Sequence, residues 1–167
     1  MTVQEVMTRT PICCTESEDV ASAAALMIDN NAGWLAVTEH HYLPSKFIGV
    51  LTERDICHKV VADGKDSYST TVGECMSEPA PVCAPGDTIS DALARMSESG
   101  MLRLPVLNHK HELLGTISVG DIIRHQAADS AELFRALSVI CMNDVPRKAP
   151  AQKAAAQKDN KKIRTAS

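Results

Sequence analysis

Apolar positions along the chain recur at helical spacing in some stretches and in short unbroken runs in others, and the two kinds alternate. Val20, Ala24 and Met27 form one helical stripe, opened by Asp19 and closed by Gly33. Ile89, Leu93 and Met96 form another, opened by Thr88 with Asp91 three residues on, a capping-box pattern, and closed by Gly100. Each stripe is followed by two short strands, Leu35–Thr38 and Phe47–Leu51 in the first case, Leu104–Leu107 and Leu113–Ser118 in the second. A second helix follows each pair, from about Arg54 and from about Gly120. Residues 63–71, DGKDSYSTT, are polar and turn-rich and read as a linker. Past Gln126 the stretch AELFRALSVICM puts Leu133, Leu137 and Ile140 on one helical face, fit to pack on the body or on a partner. Beyond Pro146 the apolar stripe ends in an Ala/Lys/Gln-rich segment that reads as disordered.

The two halves are copies of one another. Displaced by 69 positions, residues 7–37 lie over 76–106 without a gap: Met7 meets Met76, Cys14 Cys83, Ala23 Ala92, Met27 Met96, Leu35 Leu104 and Val37 Val106. Three residues then drop out of the second copy, and at a displacement of 66 Gly49 meets Gly115, Thr52 Ser118, Asp55 Asp121 and Ile56 Ile122. A unit of strand, helix, strand, strand, helix is too small to cover both faces of its sheet. Two copies packed sheet to sheet can do so. The expected fold is therefore α/β, two tandem repeats related by pseudo-symmetry: 1–62 and 72–127, joined by 63–71, then a helix over 128–142 and a basic tail over 143–167.

Composition narrows the function classes. Apolar residues make up 44% of the 167, enough for a packed core. No run approaches a membrane span, and no secretory leader is visible, so the expected location is the cytoplasm. From Asn143 onward there are seven Lys/Arg against two Asp/Glu; the body before it carries ten against nineteen. An acidic body with 3% aromatic residues is a poor nucleic-acid surface. The six cysteines show no C-x-x-C and no finger-like spacing, and read mostly as reduced, buried apolar residues. His40 and His109 are equivalent by the repeat, with His111 beside the latter, and these read as solvated loop residues rather than a metal site. There is no Ser–His–Asp set, no pair of catalytic carboxylates and no P-loop pattern.

Candidate chemistry gathers in one repeated turn. GVLTERDI at 49–56 and GTISVGDI at 115–122 share Gly–x–apolar–Thr/Ser–x–x–Asp–apolar. At each, a strand gives way to a helix whose first N–H groups favour an anion. The carboxylates of Asp55 and Asp121, a turn further in, can accept two neighbouring hydroxyls such as a ribose offers. The apolar sheet edges beside them could sandwich a flat ring. The plainer reading makes Thr52 and Ser118 N-caps and each Asp a first-turn acid. Duplication of the whole pattern favours the ligand reading.

These residues resemble the CBS domain, named for cystathionine beta-synthase, in its paired or Bateman form. The resemblance covers about residues 2–127 and is carried by Val6–Met7 and Cys75–Met76, by LRLPV at 102–106 and by the two turns. It implies a stand-alone bacterial CBS-pair protein that binds AMP, ADP, ATP or S-adenosylmethionine between its repeats. Asp would hold ribose and Thr/Ser phosphate: Thr52 and Asp55 in one cleft, Ser118 and Asp121 in the other. Arg103 fits the place of a basic residue that reaches phosphate; its counterpart, Trp34, departs from the pattern. Arg54 precedes Asp55 where Gly120 precedes Asp121, so the clefts are expected to be unequal. The resemblance further implies a non-catalytic sensor, a homodimer, and an unidentified protein partner regulated in trans. The competing expectation is a ligand-independent dimeric scaffold with vestigial clefts.

Overall fold

The computed structural model describes residues 1–143; the tail expected over 143–167 lies outside them but for Asn143. In the first copy, strand β1 (Cys13–Thr15) leads to helix α2 (Val20–Asp29), the hairpin β2 (Trp34–Thr38) and β3 (Ser45–Thr52), then α3 (Glu53–Ile56) and a π-helical turn, Cys57–Val61. In the second, α5 (Ile89–Ser99), β4 (Arg103–Leu107), β5 (Glu112–Ser118) and α6 (Val119–Arg124) follow the same order, and α7 (Ser130–Asn143) closes the described chain. A one-turn helix precedes each copy, α1 (Val3–Val6) and α4 (Val72–Cys75). The α/β expectation and the repeated order both hold.

Three details differ from the sequence expectation. The first strand of the second copy shrinks to one parallel bridge, Cys83 to Val106, because Pro79, Pro81 and Pro85 remove the backbone donors a ladder needs. Helix α2 stops at Asp29 rather than running to Gly33, and Asn31 makes the left-handed turn at φ 49°, which an Asn tolerates. The sheets are also joined at an edge: β3 pairs with β5 through Ser45–Leu113 and Lys46–Glu112, which gives the strand order β1-β2-β3-β5-β4. Elsewhere the capping pattern is realised as read. Thr88 accepts from the Asp91 N–H at 3.2 Å, Asp91 accepts from the Thr88 N–H at 3.1 Å, and Gly100 ends α5 at φ 69°.

The cores show how the copies depend on each other. One core packs α5, β4, β5, α6 and α7 residues, among them Leu93, Met96, Leu104, Ile117 and Ile122, around Val3 and Val6 of α1. The other packs Cys14, Val20, Met27, Leu35 and Leu51 around Val72 and Cys75 of α4. Each leading helix thus fills the core of the other copy. A third core, with Cys13, Ala36, Phe47 and Val50 facing Leu107 and Leu113, lies between the copies. Burial pushes the Cys13 thiol up to about 11 and Cys14 to about 12, which keeps both in the thiol form at neutral pH. Leu133 and Leu137 of α7 pack on the first of these cores, and Ile140 is buried in it.

Candidate functional site

The exchange of leading segments builds the two repeated turns. The Ser77 and Val50 backbones exchange hydrogen bonds at 2.8 and 3.1 Å; those of Thr8 and Thr116 do the same at 2.8 and 2.9 Å. The chain can come this close only because β3 and β5 carry glycine there. A Cβ on Gly49 would stand 2.8 Å from the Ser77 carbonyl oxygen, and one on Gly115 2.5 Å from that of Thr8. The repeat relates Thr8 to Ser77, and each hydroxyl arrives beside the carboxylate of the opposite copy.

At the first turn, Thr52 caps α3. Its hydroxyl accepts from the Asp55 N–H at 3.1 Å, while Asp55 Oδ2 accepts from the Thr52 N–H at 3.0 Å and the Thr52 hydroxyl at 2.6 Å. Asp55 Oδ1 accepts from the Ser77 hydroxyl at 2.7 Å and pairs with Lys59 Nζ at 3.1 Å. Lys59 also donates to the Cys75 and Met76 carbonyls at 2.8 and 3.0 Å, closing the end of α4. The second turn repeats this geometry. Ser118 and Asp121 bond reciprocally at 2.6–3.1 Å, and Asp121 Oδ1 accepts from the Thr8 hydroxyl at 3.2 Å and from Arg124. Both carboxylates are buried, Asp55 9% exposed and Asp121 4%. Burial pushes each up, but hydrogen bonds outweigh it: from Thr52, Ser77 and Lys59 on Asp55, and from Ser118, Arg124 and Thr8 on Asp121. Both titrate below the ordinary carboxylate value.

The structure therefore realises the cap reading at both turns, and it gathers Thr52, Arg54 and Asp55 at one and Ser118, Asp121 and Arg103 at the other. Arg103 stands directly opposite Ser118 on the neighbouring strand, and Trp34 opposite Thr52. The indole nitrogen of Trp34 is buried without a hydrogen-bond partner, which costs about 1–3 kcal/mol. Sequence reasoning missed Thr8, Ser77, Lys59 and Arg124. The first two were within reach, since the 69-residue displacement pairs them as hydroxyl residues. The last two were also within reach, since Asp55–Lys59 at i,i+4 and Asp121–Arg124 at i,i+3 are ordinary spacings for an ion pair along a helix.

An open cavity of about 430 Å³ is lined by Phe47, Ile48, Glu78, Pro79, Ala80, Val82 and His111, without a residue of either Thr/Ser–x–x–Asp turn. Glu78 in its wall follows Ser77 in the chain. Of the loop histidines, His40 Nδ1 lies 2.8 Å from Ser45 Oγ, and His111 meets the Phe47 ring edge-on at 6.2 Å. Among the described residues no group of three or more His, Cys, Asp or Glu is placed to hold a metal ion. No described helix is long and apolar enough to cross a membrane.

A family model of the CBS domain matches residues 3–62 and again 72–128. Among curated relatives, YhcV of Bacillus subtilis, a CBS domain-containing protein, is 30% identical over 77% of this chain and 88% of its own length. The mitochondrial CBS domain-containing protein CBSX3 of Arabidopsis thaliana is 28% identical over 75% of this chain, which spans only 61% of that protein. Among solved structures, Hypoxic Response Protein I with two coordinated zinc ions superposes with a TM-score of 0.67 at 30% identity, over 75% of this chain and 98% of that one. The CBS domain pair of MJ0100 in complex with 5-methylthioadenosine and S-adenosyl-L-methionine gives 0.65 at 22%, over 75% and 99%. PAE2072 from Pyrobaculum aerophilum complexed with AMP gives 0.65 at 21%, over 83% and 99%. The fold, the doubled turn and the two matched segments make this chain a member of the CBS domain family, carrying a tandem pair of CBS repeats.

Proposed function

We propose that this chain is a non-catalytic regulatory module that binds an adenosine-containing ligand (AMP, ADP, ATP or S-adenosylmethionine) in clefts between its repeats and acts on a separate protein in trans. The observation that carries the reading is the pair of Thr/Ser–x–x–Asp turns, each with a buried, ionised carboxylate and a hydroxyl contributed by the opposite copy. A ribose presents two neighbouring hydroxyls, and its donors can replace Ser77 or Thr8 on Oδ1 at little net cost, since one hydroxyl exchanges for another. Fold neighbours complexed with AMP, 5-methylthioadenosine and S-adenosyl-L-methionine support the choice of ligand class. Regulation follows by population shift: a ligand that spans both copies favours one relative orientation over others.

The second reading, a ligand-independent dimeric scaffold, draws on the same turns, because every carboxylate oxygen already has a partner within the chain. Thermal unfolding of the purified chain with AMP, ADP, ATP, S-adenosylmethionine and adenosine separates them. A ligand that binds only the folded state raises the melting temperature by mass action. A rise with at least one compound at millimolar concentration supports the sensor, and no rise with any of them leaves the scaffold.

A further inference from the structure

We infer that the two clefts select different adenosyl ligands: the cleft at Thr52 and Asp55 takes an adenosyl group that carries no phosphate, and the cleft at Ser118 and Asp121 takes a phosphorylated one. This rests on the reading of both turns as ligand clefts and assigns a chemical class to each.

The argument comes from equivalent positions that differ in charge. Trp34 and Arg103 occupy the same register, each opposite the capping hydroxyl of its turn. One cleft therefore has an indole where the other has a guanidinium. Glu53 and Val119 open the two helices, and the Glu53 carboxylate lies over Gly33, next to Trp34, within about 3 Å of where a Cβ would stand. Glu78 follows Ser77 and faces the cavity, whereas Arg9 follows Thr8. Around the first turn three acids, Glu53, Asp55 and Glu78, meet two bases, Arg54 and Lys59. Around the second, Asp121 alone meets Arg9, Arg103 and Arg124.

Lys59 does not offset the acids at the first turn. Its ammonium is committed to the Cys75 and Met76 carbonyls and to Asp55. A phosphate dianion entering there meets Glu53 and Glu78, both exposed, whose screened like charge still disfavours it against the one further cation, Arg54. The same dianion at the second turn meets Arg103, exposed and opposite Ser118, which can bind it through two N–H groups, and it is attracted by Arg9 and Arg124, which donate to the Gln4 carbonyl and to Asp121. The first cleft offers something else. The buried Trp34 Nε1–H has no acceptor. A neutral ring nitrogen or a sugar oxygen can accept from it once the indole turns to uncover the nitrogen, beside Ala80 and Val82, which pack in the same apolar cluster as Trp34. A site holding such an unfilled donor rewards a ligand that completes it.

Trp34 is the single tryptophan of the chain, so its emission reports the first cleft directly. The test titrates adenosine and AMP separately into the full-length protein, following Trp34 fluorescence and, in parallel, the melting temperature. Adenosine is expected to move the emission at concentrations about tenfold lower than AMP. Trp34→Phe, which keeps one aromatic ring and removes the pyrrole ring with its N–H, is expected to weaken adenosine binding by calorimetry about tenfold and leave AMP unchanged. Arg103→Gln is expected to do the reverse. AMP acting on Trp34 emission at the same or lower concentration than adenosine overturns the assignment. So does adenosine raising the melting temperature with no change in emission, although ligand binding itself then stands. If neither compound moves either signal, the assignment falls together with the sensor reading beneath it.

Discussion

Asp55 and Asp121 are acids held charged inside the protein, and that makes stability depend on pH in a defined window. Each titrates below the ordinary aspartate value because its hydrogen bonds outweigh burial. A carboxylate lowered on folding adds stability that is complete above its ordinary value, near about 3.9, and is lost as pH falls through the lower folded value. Urea midpoints measured from pH 5 downward are expected to fall below about pH 4. In Asp121→Asn the fall is expected to be shallower, since the asparagine has no proton to take up. An unchanged slope in the variant would show that other groups set the acid limit. The cations beside these acids are not equal. Lys59→Met removes an ammonium that closes two carbonyls and a carboxylate, and is expected to cost about 1–3 kcal/mol in urea unfolding. Arg124→Met removes a side chain 68% exposed and is expected to cost less than about 0.5 kcal/mol. Thr52, Asp55, Ser118 and Asp121 were legible as a pattern because hydroxyl and acid recur three residues apart in both copies. The displacement also pairs Thr8 with Ser77, but local spacing does not say that each crosses to the carboxylate of the other copy, nor that Lys59 closes the end of α4.

At the scale of the element, the exchange of α1 and α4 between copies is the feature furthest from the sequence. Alternation and helical spacing say which face of a strand or helix is apolar, and that was enough to place β2, β3, β4, β5, α2 and α5 within a residue or two at most ends. Neither says which partner covers that face. Val3 and Val6 are apolar one turn apart, but nothing local shows that they sit among Leu93, Met96 and Ile122 rather than among Val20 and Met27. The consequence is measurable. Val6→Ala is expected to cost about 2 kcal/mol and to lower amide hydrogen-exchange protection in β4, β5 and α5, with β1 and β2 much less affected. Loss confined to β1, β2 and α2 would contradict the exchange. Gly115→Ala tests the same joint from the other side. Its methyl would meet the Thr8 backbone oxygen at 2.5 Å, a contact with no side chain free to move, so a loss of at least about 1–3 kcal/mol is expected. Both substitutions act on the segment that brings the Thr8 hydroxyl to Asp121, so they are expected to weaken AMP binding as well as stability.

At the scale of the whole molecule, the apolar surface that remains uncovered bears on assembly. Helix α7 docks through Leu133, Ala136, Leu137 and Ile140, while Phe134, Val139 and Met142 stay exposed, at 72%, 46% and 75%. Ile123 on the neighbouring α6 is 53% exposed. Large exposed apolar side chains on one helix of an otherwise acidic body are candidates for burial against another chain. A second copy of the same chain is the simplest occupant, because a two-fold axis lets one apolar patch cover its own equivalent. The expected outcome is a homodimer at micromolar concentration, with light scattering giving twice the mass of one chain. Phe134→Glu is expected to shift the equilibrium to the monomer, since a carboxylate buried against its symmetry mate costs several kcal/mol, on the order of the contact itself. The same substitution leaves the turns at Asp55 and Asp121 untouched, so adenosine binding to the monomer is expected to persist. A wild-type mass equal to one chain would remove the dimer. A dimer that survives Phe134→Glu would move its interface away from α7.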